Sequence, residues 1–342
     1  MTVVAVEPPH AEDVPRRLAD RPTPADRFFF LFTRAGGLSV LVLMGLVGAF
    51  LTYRAGKALE QANIAFLTTE AWEPDSGNFG IAAVLVGTLL IAGVAILIAF
   101  PLAAGTALYI SEYAPRRLRS TLISLVDLMA AIPSVVYGLW GFFLLQPHML
   151  VVGQEGNGLV RWLATYLGWI PLFAVDGADP GDPLSTATVY TSSTFIAGVV
   201  VALMIAPVMC SVMREVFSQA PVGEREGAYA LGTTRWGMIR AVVLPFGRAG
   251  MIGGTMLGLG RALGETIAVY LIISPIFVIQ PHILQNGASS ISSLIALRYG
   301  EASGFGTSAL MAAGLALFLI TLLVNVLASA VVNRSRSGAV TG

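Results

Sequence analysis

Long apolar runs separated by short polar segments set the plan of this chain. Six runs approach or exceed the roughly 20 residues that a helix needs to cross a hydrocarbon core of about 30 Å. They are 36–51, 79–100 with an apolar continuation to 110, 121–145, 187–212, 250–273 and 307–332. The first is short, but the apolar lead-in at 28–32 can lie in the interface. Pro101 is expected to kink or end the second run, because proline removes a helix hydrogen bond. Pro133 and Gly138 stand inside the third. They predict a bend or a break there, read either as a plain bent helix or as one of the discontinuous helices that line transport pathways. The pattern predicts an all-α polytopic membrane protein with six transmembrane helices across 28–332. Residues 1–27, with five prolines and mixed charges, predict a disordered cytoplasmic tail. Residues 333–342 form a second tail, and the outer loop 146–186 is expected to hold a short interfacial helix at 159–167.

Composition supports the membrane reading. The 342 residues are 56% hydrophobic and 12% charged, against roughly 25% charged in soluble proteins. The single cysteine, Cys210, excludes a disulfide framework and reads as a small apolar filler. Met204, Met209 and Met213 read as core or lipid-facing residues. His10, His148 and His282 are far apart and lack H-E-x-x-H spacing, which argues against a zinc hydrolase. A net charge of zero argues against nucleic-acid binding. Nineteen of the twenty basic residues are arginine, and the lone lysine, Lys57, precedes Ala58. A Walker A loop needs Lys before Ser or Thr, so no such loop is present.

The charges sort by side. With the N-terminus inside, fifteen of the twenty basic residues fall in cytoplasmic segments, while Arg54, Lys57, Arg161 and Arg298 fall outside. This asymmetry satisfies the positive-inside rule and predicts that both termini are cytoplasmic. Nine acids, among them Glu70, Asp75, Glu155, Asp179, Asp182 and Glu301, make the outer face acidic. That face is read as a solvated loop surface or as a docking surface.

The segment 213–247 is the one long polar stretch expected in the cytoplasm. Pro221 suits the first turn of a short helix, with Glu224 and Glu226 near its positive end. Gly232 is placed to stop that helix. Thr234 can cap a second short helix, which Pro245 is expected to end. Glu226-Gly227-Ala228, then Gly232, then Val242-Val243-Leu244-Pro245 follow the spacing E-A-A-x3-G-x9-I-x-L-P. The segment therefore resembles the EAA loop of permease subunits of bacterial ABC importers, departing at Gly227 and Val242. The resemblance implies a type I importer permease fold. It also implies that Glu226, Gly227, Ala228, Gly232, Leu244 and Pro245 belong to a coupling element docking into a separate ATPase.

The fifth run carries two charges. Arg261 lies thirteen residues past Arg248, about 20 Å along a helix axis and so near mid-bilayer. Glu265 follows at i+4 and is expected to pair with it on one face. On a wheel of about 100° per residue, both share a stripe with Gly250, Gly254 and Gly258, which predicts close approach to a partner helix or a central pathway. A charge at the bilayer centre costs about 2.5–3.5 kcal/mol on insertion scales. The pair is read as a structural ion pair or as an anion pathway. In the second reading Arg261 offers its planar fork to an oxyanion, and Glu265 neutralises it when empty. Gly258-x-Gly260-x-x-x-Gly264 has one residue too many for a dinucleotide fingerprint and lacks a βαβ context. Asp127 is read as an interfacial acid near Arg117 and Arg119, or as a gating residue with Pro133.

The string from Gly258 to Val269, together with Leu108 to Pro115 and Ala130 to Gly141, resembles the PstC-type permeases of bacterial phosphate ABC importers. The sister PstA type shares the R-x-x-G-E-T core. The resemblance implies a non-catalytic subunit of the bacterial inner membrane that binds no cofactor, with ATP and Mg²⁺ used by a partner. It implies a PstA-like second permease, two PstB-like ATPases, a PstS-like phosphate-binding protein outside and inorganic phosphate as cargo. Three alternatives stay open: an ABC permease for a sulfate- or molybdate-like oxyanion, a secondary anion transporter, and a non-transporting membrane scaffold.

Overall fold

The computed structural model describes residues 23–151, 158–177 and 187–336. Residues 1–22 of the expected tail, the outer-loop acids Glu155, Asp179 and Asp182, and residues 337–342 lie outside the described residues. The chain divides into two compact units between Phe50 and Leu51.

The described part of the first unit is helix α1 (Pro24–Ala62) as far as Phe50. The helix starts earlier than its apolar run because Thr23 and Asp26 cap it reciprocally. Asp26 N–H donates to Thr23 Oγ1 (3.2 Å), and Thr23 N–H donates to Asp26 Oδ2 (2.9 Å). Pro24 follows at a position where its missing N–H costs nothing.

The described residues of the second unit are mainly helical, with one short hairpin. After the end of α1 come α2 (Ala65–Thr68) and strands β1 (Trp72–Glu73) and β2 (Asn78–Phe79), antiparallel with Trp72 opposite Phe79. Helix α3 (Ala82–Leu108) closes in a π-helical turn, Tyr109–Tyr113. Helix α4 (Arg116–Ala131) and helix α5 (Ser134–Trp140) follow, and α5 widens into π-helical Gly141–Val151. The interfacial helix expected at 159–167 is α6 (Leu159–Leu167). Helices α7 (Thr194–Ser218) and α8 (Val222–Ala230) lead to α9 (Arg235–Met238), which passes through π-helical Ile239–Val243 into α10 (Leu244–Gly264). Helices α11 (Ile267–Ile272), α12 (Ile291–Arg298) and α13 (Gly304–Arg336) complete the chain.

Five helices of the described residues are long and apolar enough to cross a membrane, and the bent pair α4–α5, taken as one broken span, makes six. The six-span expectation stands, with three changes of detail. Pro101 lies on an exposed face of α3 and does not end it. The opposite face is a small-residue stripe, Ala92, Ala95, Ala99, Ala103 and Ala107, fully buried in the main core. Small side chains let helix backbones approach closely, and α3 packs along α7 through this contact. The fourth span starts at Thr194 rather than near 187, because Ser193 Oγ caps it by accepting from Ile196 N–H (3.4 Å). Pro245 does not end a second short helix. The π-helical turn just before it absorbs the missing donor, and the chain runs on as one helix from Arg235 to Gly264.

Helix α7 is the centre of the bundle. Met204, Met209, Cys210 and Met213 are buried there, so of the two readings, core or lipid-facing, the methionines take the first. The glycine stripe of α10 lies against it. A Cβ on Gly254 or Gly258 would meet Met213 or Met209, and one on Gly247 would meet Phe217. A second core joins the end of α1 to α12, α13 and the hairpin, with the Phe79 ring edge-on to Phe66, Trp72 and Phe305.

Closest of all is the approach of α3 to the start of α12, where a Cβ on Gly87 would collide with the Ser289 carbonyl. Backbone cannot move aside as a flexible side chain can. Gly87→Ala should therefore lose about 1–3 kcal/mol to overpacking, seen as a lower melting temperature in detergent. Gly93→Ala on the same helix, with open space around it, should melt like the parent protein. Equal melting of the two variants would contradict this packing.

Candidate functional site

Two spans are interrupted, and the short helices that follow the interruptions, α5 and α11, pack against each other. The first break is set by proline. Ile132 is extended (φ −66°, ψ 129°), as the residue before proline prefers, and the axes of α4 and α5 differ by 89°. In an unbroken helix, residue 133 would donate to the carbonyl of Met129. Proline has no N–H to give, and the Tyr137 hydroxyl takes its place, donating to Met129 O at 2.9 Å.

The second break has no proline. Helix α10 stops at Gly264, and Glu265 is extended (φ −66°, ψ 127°). The freed groups are matched by side chains. Glu265 Oε1 accepts from the Ala268 N–H in the first turn of α11 (3.1 Å), and Ser292 Oγ donates to the Glu265 carbonyl (2.6 Å). A carboxylate at a helix N-terminus also gains from the helix dipole.

Glycines let the helices after the two breaks approach closely. A Cβ on Gly138 of α5 would lie 2.8 Å from Ala268 Cα, and one on Gly141 would press on Val200 of α7 and Ile272 of α11. Of the bend or break expected from Pro133 and Gly138, the structure shows a break at Pro133, while Gly138 lies within α5 and marks the crossing.

The expected Arg261–Glu265 pair does not form. The i,i+4 geometry needs an unbroken helix, and the interruption after Gly264 offers the Glu265 carboxylate a backbone donor instead. Glu265 is buried, while Arg261 is exposed and makes no ion pair among the described residues. Arg261 keeps its thirteen-residue spacing from Arg248 within α10. It sits in the last turn, where the free carbonyls of a helix C-terminus favour a cation. The glycine stripe faces α7 as expected, but Arg261 is exposed beyond it. Asp127 is exposed on α4 and makes no ion pair among the described residues.

The polar loop folds close to expectation. Helix α8 follows Pro221, Gly232 takes the left-handed conformation (φ 78°), and Thr234 Oγ1 accepts from Gly237 N–H (3.2 Å). The Ala228 carbonyl accepts from the Thr233 N–H (3.3 Å) and hydroxyl (2.8 Å), closing the turn. Ala228 is buried, whereas Glu226, Gly227 and Gly232 are exposed. Around them Val222, Tyr229, Leu231 and Trp236 present apolar side chains to the outside, Leu231 at 86% exposure. Leu244 is half-buried and Pro245 exposed at the start of α10.

Sequence reasoning passed over three contributors. The run Ser289–Ser290–Ile291–Ser292–Ser293 caps α12 through Ser290 and Ser293 and supplies the Ser292 contact. Serines directly before an apolar run are a helix-start signal that was open to use. Tyr137 and Arg225 had no such mark in the sequence.

Comparison with known proteins agrees with this architecture. A family model for the inner membrane component of binding-protein-dependent transport systems matches residues 99–337. The phosphate transport system permease protein PstC of Xylella fastidiosa is 37% identical over 304 residues, covering 89% of each chain. The protein of the same name from Mesorhizobium japonicum is 38% identical over 317 residues, covering 92% of each. Among solved structures, a bacterial alginate ABC transporter superposes with a TM-score of 0.55 at 18% identity, covering 88% of this chain and 93% of that one. The MetNI methionine ABC transporter gives 0.51 at 14% identity, covering 75% and 95%. These likenesses carry the fold, that of an ABC importer permease. With the family model matched over more than half its length, the chain is a multi-pass membrane protein that belongs to the binding-protein-dependent transport system inner membrane components.

Proposed function

We propose that this chain is one half of the translocation unit of an ATP-driven phosphate importer. The crossing of two interrupted spans beside an arginine that makes no ion pair among the described residues carries the reading. Discontinuous helices place charged groups and helix ends at the middle of a membrane, where substrates are bound in transporters. A guanidinium holds its charge throughout, and its fork donates paired hydrogen bonds to an oxyanion. Among the described residues Arg261 makes no ion pair, so an arriving anion meets a cation with no carboxylate bound to it. The break that Glu265 and Ser292 hold open keeps the helix ends at this depth. The names of the relatives add the cargo, inorganic phosphate.

In this reading the arginine-rich loops and both termini are cytoplasmic, and the acidic hairpin end faces outward. A PstA-like permease completes the pathway, and two PstB-like ATPases dock on α8 and α9. A PstS-like protein delivers phosphate from outside. The exposed apolar patch around Gly232 has the character of a docking surface. The chain itself needs no cofactor; ATP and Mg²⁺ belong to the ATPases. Closure of the ATPases would move α8, and alternating access would pass the anion by Arg261.

The reading is tested by ATP hydrolysis of the purified complex in lipid. Phosphate-loaded binding protein should stimulate hydrolysis, and phosphate-free binding protein should stimulate it much less. Hydrolysis indifferent to the loaded binding protein, or an ATPase that does not co-purify, would contradict it.

A further inference from the structure

The coupling loop is tied to the end of α3 by a contact between a partly buried arginine and a buried carboxylate that its proposed docking role does not require. Arg225 lies on α8, immediately before Glu226. Its Nη1 donates to Glu112 Oε2 at 2.9 Å, its Nη2 to the Phe217 carbonyl at 2.6 Å, and its Nε to the Ala220 carbonyl at 3.1 Å. One guanidinium thus joins three elements: the π-helical turn that ends α3, the last turn of α7, and α8. Glu112 is 6% exposed, and its second oxygen, Oε1, is buried with no hydrogen-bond partner among the described residues. A second arginine repeats the attachment one helix later. The Arg235 guanidinium of α9 stacks 4.9 Å from the ring centre of Tyr113, the neighbour of Glu112.

We infer that Arg225 and Glu112 are the positioning pair that makes α8 move as one body with the ends of α3 and α7. The inference rests on the importer reading. Separating α8 from α3 would leave a carboxylate buried and unpaired, which is far less favourable than moving the elements together. Three directional bonds also fix the plane of the guanidinium, so rotation of α8 turns α3 with it. Lysine could hold the charge but not the three directions.

From α3 the contacts continue toward the anion site. Gly87 sits on the Ser289 carbonyl, and the Thr88 hydroxyl accepts from the Ile291 N–H (3.0 Å). One residue on, Ser292 holds the Glu265 carbonyl at the α10–α11 break. A displacement imposed on α8 therefore reaches the helix ends beside Arg261 through α3 and α12.

The test uses the full complex in proteoliposomes, with phosphate accumulated per ATP hydrolysed as the readout. A lower yield of complex reduces both quantities together and leaves this ratio alone. Glu112→Gln and Arg225→Lys should assemble and hydrolyse ATP, yet the ratio should fall about 3- to 30-fold, the range for residues that transmit coupling. In a second arm, cysteines replace residues 112 and 225 in a Cys210→Ala background and are joined by a short bifunctional thiol reagent. Cross-linking should raise the ratio toward the parent value, because the joined elements move together. Unchanged ratios in Glu112→Gln and Arg225→Lys would overturn the inference. So would a cross-link that stops transport, which would mean that α8 must slide against α3. If single variants fail to assemble, the cross-link arm decides alone. Absence of phosphate transport by the parent complex would instead strike the importer reading.

Discussion

Phosphate uptake falls about 10- to 150-fold in Arg261→Gln, the expected loss when hydrogen bonds to an ionised group worth about 1.5–3 kcal/mol are removed. The complex should assemble normally. Arg261 is exposed and makes no ion pair among the described residues, so its removal orphans no buried partner. Arg261→Lys should fall between the two, because an ammonium keeps the charge and loses the fork. The effect should lie in transport and not in ATP hydrolysis by the ATPases alone. Normal uptake by Arg261→Gln would take Arg261 off the pathway. It would also remove the reason for reading the crossed breaks as a substrate site. Glu265→Gln tests a different role. A glutamine keeps an acceptor for the Ala268 N–H, so it should disturb the break less than Glu265→Ala does.

The second large effect is expected at the turn between α8 and α9. Gly232 has φ 78°, a conformation that β-branched residues adopt only with strain of about 1–3 kcal/mol. Gly232→Val should redirect the chain there and displace the exposed Tyr229, Leu231 and Trp236 side chains from their present arrangement. Stimulation of the ATPase by loaded binding protein should be lost. The melting temperature of the permease should fall only by what this backbone strain accounts for, since nothing lies within 4 Å of a Cβ at this position. Gly227→Ala is the matching control. Gly227 is helical with open space around it, and alanine there should be neutral or slightly stabilising. Stimulation preserved in Gly232→Val would separate this turn from coupling.

Much of the architecture was legible because membrane solvation leaves so few choices. Apolar length locates spans, since backbone groups in lipid must bond within the helix. Pro133 announced the first break, and Gly232 and Thr234 announced the turn that follows α8. The second break was not legible. No proline or polar run precedes Glu265, and the sequence reads as one helix through 250–273. What interrupts it is tertiary: Ser292, twenty-seven residues later, takes the Glu265 carbonyl, while the carboxylate turns to Ala268. The expected Arg261–Glu265 pair failed for the same reason, since i,i+4 reasoning assumes a continuous helix. Proline at 101 and 245 misled in the other direction. One lies on an exposed face of α3, and the other follows a π-helical turn that accommodates it. The Arg225–Glu112 contact joins residues 113 apart, and nothing local marks either of them as a partner.

ATP-driven import is tested most directly by accumulation of labelled phosphate in proteoliposomes. These would contain this chain, its partner permease and the ATPases, with the binding protein outside and ATP inside. Phosphate should accumulate against its gradient only when ATP and binding protein are both present, and excess sulfate or molybdate should leave the rate unchanged. Accumulation driven by an imposed proton or sodium gradient without ATP, or transport of sulfate or molybdate in place of phosphate, would contradict it.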